Sequence, residues 1–118
     1  MQDFVTDITM SATLKRLFIE QDSQYYWCRS DKKLYHRNDL FTQMKDFHKH
    51  YVSAFLDPEL DRVLPASFDE GKLIYGKSME GVCYVTYGED KLPGVTTART
   101  FIKAKARMVV KLKELNII

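Results

Sequence analysis

Cysteine is scarce in this chain, and its two examples, Cys28 and Cys83, stand far apart in no spacing that closes a metal site or a disulfide framework. A disulfide scaffold is thereby excluded, and a reducing compartment fits. Long apolar runs are also missing, and the first ten residues lack the charged start and apolar middle of a secretory signal. No membrane association is therefore expected, and the cytoplasm is the expected location. Internal repeats, low-complexity tracts and Pro/Gly/Ser linkers are absent too, so the sequence offers no domain boundary. A length of 118 residues suffices for one real core and not for two. A single domain over 1–118 is expected.

What the chain does contain is the composition of an ordinary folded protein, 45% hydrophobic, 29% charged and 13% aromatic, which argues against disorder. Its net charge of +2 is unevenly placed. From Lys91 onward seven basic residues face the single acid Glu114, leaving the first 90 residues at −4. The surplus of positive charge lies in the last quarter.

Along the chain, Leu14, Leu17 and Phe18 suit a helix within 6–20, although RLFIEQ also reads as a strand; the helix is preferred. QYYWCR and KLYHR, separated by the polar SDKK, read as a hairpin. From Asn38 to Leu56 the apolar residues Leu40, Phe41, Met44, Phe47, Tyr51, Val52 and Phe55 recur at helical spacing behind a capping Asn38 or Asp39, predicting a long helix. Asp57 and Pro58 open a short helix that Pro65 ends, and PASFDEG follows as a loop. KLIYG and VCYVTYG, joined by KSMEG, form a second hairpin. A final helix of about 20 residues begins behind Thr96 or Thr97.

The stretch GKLIYGKS, from Gly71 to Ser78, matches the phosphate-loop pattern letter for letter. Such a loop needs a preceding strand and a helix opening at its Lys and Ser, because backbone N–H groups and the helix N-terminus hold the phosphates together. Here the variable residues are themselves strand-like, and Val82 to Thr86 resist helix formation. The glycines are read as bracketing a strand, and no nucleotide cofactor is expected.

On the final helix, Ala98, Phe101, Ile102, Met108, Val109, Leu112 and Leu115 gather on one face. Arg99, Lys103, Arg107 and Lys111 recur every fourth residue on the opposite side. Like charges at that spacing repel by a few tenths of a kcal/mol, a cost that an anionic partner would offset, and nucleic-acid phosphates are the commonest such partner. A basic surface turned towards the chain's own acidic front portion would look the same. Lys105 is the exception, falling in the middle of the apolar face, so it must snorkel, pair with an acid or mark an uncovered place. A second basic cluster, with Lys32, Lys33 and Arg37 beside Tyr25, Tyr26, Trp27 and Tyr35, could hold a phosphate backbone and stack on bases. Most of these aromatics are expected in the core.

Cys28, Tyr35, Phe41 and His48 stand at the spacing of the first Cys, the two core apolar residues and the last His of a two-Cys, two-His zinc finger, which this fifth of the chain resembles. The second Cys position holds Asp31 and the first His position Met44, so the tetrahedral set a structural zinc requires is incomplete and no metal is expected. The resemblance implies a metal-free hairpin packed on a helix. No strained nucleophile elbow is present, and neither Cys carries a cue for activation.

The expected architecture is α+β, a small antiparallel sheet from two hairpins with helices on one face and a long basic C-terminal helix. The expected function is non-catalytic nucleic-acid binding through Arg99, Lys103, Arg107 and Lys111, with Lys32, Lys33 and Arg37 as a second contact. The alternative is a protein-binding module, an inhibitor or adaptor, that engages an acidic or apolar partner surface.

Overall fold

A computed structural model describes residues 2–88 and 92–118. The chain is α+β and divides into two compact units, Met1–Leu56 and Asp57–Ile118.

In the first unit, helix α1 (Ile8–Arg16) starts where the Asp7 carboxylate accepts the Met10 N–H at 2.7 Å. It ends in a left-handed turn, with Phe18 at φ 66° and the Ile19 N–H returning to the Leu14 carbonyl. The expected helix therefore forms over Ile8–Arg16 only, with Leu17 at its C-cap and Phe18 in the turn beyond it. Strands β1 (Tyr25–Cys28) and β2 (Leu34–His36) form the expected hairpin, pairing Tyr26 with Tyr35.

The long helix expected from Asn38 to Leu56 does not form. Only α2 (Phe47–His50) is α-helical, and the chain then extends as β3 (Tyr51–Ala54) along the other edge of β1, giving the antiparallel order β2-β1-β3. Two observations give the reason. Phe41 and Met44, from the first turns of the supposed apolar stripe, are 71% and 40% exposed, so no core waits for them. The aromatic and β-branched Tyr51 and Val52 instead satisfy the open edge of β1, an override of local pattern by strand pairing. Asn38 does not cap a helix either; its N–H is taken by His36 Nδ1 at a single 3-10 turn, Arg37–Asp39. One face of this sheet buries Val5, Trp27, Val52 and Ala54, with the Trp27 indole N–H donating to the Thr6 carbonyl at 2.8 Å. Tyr26 meets Phe47 edge-on, and Phe47 stacks on Tyr51.

The second unit opens with α3 (Asp57–Val63), the short helix expected before Pro65. The expected PASFDEG loop contains a tiny hairpin, β4 (Ser67–Phe68) and β5 (Gly71–Lys72), whose two linking residues, Asp69 and Glu70, both have positive φ, as a tight primed turn demands. Strands β6 (Ile74–Lys77) and β7 (Cys83–Thr86) form the second expected hairpin, closed by Ser78 and by Gly81 at φ 84°. A third strand, β8 (Val95–Ala98), pairs with the far side of β7.

Helix α4 (Phe101–Glu114) is therefore shorter than expected, at 14 residues. Thr96 and Thr97 lie in β8, and Thr100 is the cap, its hydroxyl accepting the Lys103 N–H at 3.2 Å. Ala98, expected on the helix, is a strand residue. Ala104, Met108, Val109 and Leu112 are wholly buried as α4 packs along β7, β8 and α3. The two hairpins thus belong to separate three-stranded sheets, not to one.

Candidate functional site

The polar side of α4 begins before the helix does. Arg99 sits in the bend between β8 and α4, where its carbonyl accepts from the buried Cys83 thiol at 3.6 Å. Lys103 and Arg107 follow on the exposed side of the first two turns. The Arg107 guanidinium donates to the Thr97 carbonyl at 2.5 Å, so its position is set by strand β8 and not by solvent. These three cations, with Val82, Thr97 and Ala98, line one depression of about 320 Å³. No carboxylate is among the lining residues, and among the described residues none of the three cations forms an ion pair. Lys111, the fourth member of the column, lies outside this hollow, half-buried, with its ammonium end where a side chain on Gly94 would meet it at 3.5 Å.

The second basic cluster is not gathered. Lys32 occupies the left-handed corner of the β1–β2 turn at φ 58°. Lys33 lines a different, wider depression with Gln2, Tyr25, Leu34, His36 and Asp39. Arg37 pairs with Asp22 at 3.5 Å, both largely exposed. The hairpin aromatics offer little to a base. Tyr26 and Trp27 are buried, Tyr25 packs edge-on against His36, and the Tyr35 hydroxyl donates to Asp31 at 2.5 Å. That bond, with the Lys33 N–H on the same carboxylate, holds Asp31 below the usual carboxylate range and pushes the Tyr35 phenol up to about 12.

Asp31 therefore acts as a turn residue where a zinc finger would have a ligand. Cys28 is buried against Ser30, while His48 and Met44 are exposed on a segment that is not the expected helix. Among the described residues no three His, Cys, Asp or Glu side chains gather as a metal site. The phosphate-loop string is spread over β5, β6 and the turn after them. A side chain on Gly71 would lie 1.8 Å from the Tyr87 carbonyl, and one on Gly76 would lie 2.6 Å from the Tyr84 hydroxyl. The first contact is with backbone, so Gly71 is needed for close packing within the unit, whereas the second is with the tip of a tyrosine side chain; Ser78 leads into a hairpin turn in place of a helix.

Lys105 resolves by pairing. It is 3% exposed, and its ammonium donates to Asp57 at 2.5 Å and Asp61 at 2.9 Å while resting 4.3 Å above the Tyr75 ring. Burial alone would lower its pKa; the two carboxylate hydrogen bonds outweigh that and raise it. Pairing with an acid was one of the three outcomes the sequence left open for Lys105, but the acids themselves were not identified, although their signal was present. Asp57 and Asp61 are four apart on a short helix and so share a face, the arrangement that a lone buried cation needs.

No family model, no curated protein and no solved structure matches this chain.

Proposed function

We propose that this chain is a non-catalytic nucleic-acid-binding protein that holds phosphates with Arg99, Lys103 and Arg107, with Lys111 as an outlying contact. The observation that carries the reading is the hollow lined by three cations and no carboxylate. Concentrating like charge costs stability locally, and neutralisation by a polyanion with release of its counterions would offset that cost. Phosphate contacts position a protein without reading bases, so sequence preference should be slight. Lys32, Lys33 and Arg37, in three different surroundings, are peripheral to this reading.

Binding of the purified chain to a duplex at a series of salt concentrations tests it. Three phosphate contacts give a slope of log affinity against log salt of roughly −3. A complete lack of binding at low salt would instead favour the protein-binding alternative, for which the exposed Phe18 and Phe41, at 87% and 71%, are the supporting observation in the first unit.

A further inference from the structure

The hollow at the start of α4 has a shape and a charge that a running phosphodiester backbone does not fully use. Arg99, Lys103 and Arg107 do not stand along an open ridge; they converge on one concavity of about 320 Å³ with Val82 and Ala98 in its wall. A diester brings one negative charge per phosphate, whereas a phosphomonoester near neutral pH brings nearly two. The wall holds no aromatic ring. The neighbouring Tyr75 and Phe101 are engaged with each other at 5.9 Å, and Tyr75 also carries the Lys105 ammonium. A base therefore has no platform in the hollow, and a phosphate has three donors. Arg107 is already oriented by the Thr97 carbonyl, so part of the ordering cost is met before a ligand arrives.

We infer that this depression is a seat for a single terminal phosphate, the monoester end of a nucleic-acid strand, held by Arg99, Lys103 and Arg107. The inference rests on the nucleic-acid reading above and narrows it from backbone to strand end. The same dianion is presented by a free nucleoside monophosphate, and competition separates the two sources.

The experiment compares a short duplex bearing a 5′-phosphate with the same duplex bearing a 5′-hydroxyl, by fluorescence anisotropy at low salt. The phosphorylated end should bind at least about tenfold more tightly, because a 5′-phosphate places nearly two negative charges close to three cations where the hydroxyl places none. Arg107→Gln and, separately, Lys103→Gln should remove the preference, whereas Lys77→Gln, an equal loss of charge on exposed β6, should keep it. Two single variants guard against a loss of fold through the Arg107–Thr97 bond. A nucleoside 5′-monophosphate that competes only at far higher concentration than the duplex would assign the seat to strand ends; equal competition would overturn that assignment in favour of a small-molecule phosphate site. Equal binding of both duplexes overturns the inference while leaving the nucleic-acid reading in place. Binding of neither overturns both.

Discussion

Lys105 shows how one residue at the centre of an apolar helix face can be stable and yet leave its mark on the protein's chemistry. Its ammonium is nearly sealed, while Asp57 and Asp61 keep 38% and 43% of their side-chain surface. The two partners are therefore unequal. Removing the lysine leaves carboxylates that water can reach, whereas neutralising the carboxylates strands a buried cation. Asp57→Asn with Asp61→Asn should cost about 3 kcal/mol in denaturant unfolding, and Lys105→Met about 1 kcal/mol or less. A larger loss from Lys105→Met would mean that packing, not charge, holds this position. Alkaline titration reads two other residues. Tyr35, bonded to Asp31, and Tyr87, buried with its hydroxyl on the Pro65 carbonyl, are both pushed up to about 12. A phenol whose folded pKa exceeds the unfolded value of about 10 favours the folded state below pH 10, and that favour is lost as the pH rises through 12. Tyr35 and Tyr87 should accordingly ionise late by ultraviolet absorbance, and Tyr87→Phe and Tyr35→Phe should each remove one late step.

At the scale of elements, what was legible depended on whether local and tertiary preferences agree. For α1 the local pattern left helix and strand both open, whereas both hairpins and α3 were readable because alternation, turn residues and caps point one way. The segment from Leu40 to Phe55 was not, because its helical spacing of apolar residues competes with the pairing demand of β1, which lies more than 20 residues away in sequence. β8 was hidden for a related reason. Thr96, Thr97 and Thr100 are all plausible caps, and only the structure shows Thr96 donating its hydroxyl to the Ala104 carbonyl from within a strand. Of the candidate site, the four-residue spacing of cations was visible, but the hollow was not, since Val82 and Thr97 come from other elements. The hairpin itself makes a prediction against the phosphate-loop string. ATP and GTP should give no binding heat by calorimetry, and micromolar affinity abolished by Lys77→Ala would contradict the assignment of Gly71–Lys72 and Ile74–Lys77 to strands.

At the scale of the whole molecule, the charge asymmetry of the sequence is reorganised by the division at Leu56. The second unit holds ten basic and nine acidic residues, so the cations of α4 share their unit with most of the acids that offset them. The net charge of this unit, +1, by itself gives a polyanion little long-range attraction. Any attraction must come from the local hollow, and salt should weaken it steeply. The measurement that tests this most directly replaces the column at once, Arg99→Gln, Lys103→Gln, Arg107→Gln and Lys111→Gln, a set that keeps good helix formers in α4. Duplex affinity and its salt slope are then measured beside the parent, with circular dichroism to verify the fold. The expected result is a folded variant whose affinity falls at least tenfold and whose slope shrinks by up to about 0.9 for each phosphate it no longer neutralises. A folded variant that binds as tightly as the parent, with the same slope, would contradict phosphate binding by this column.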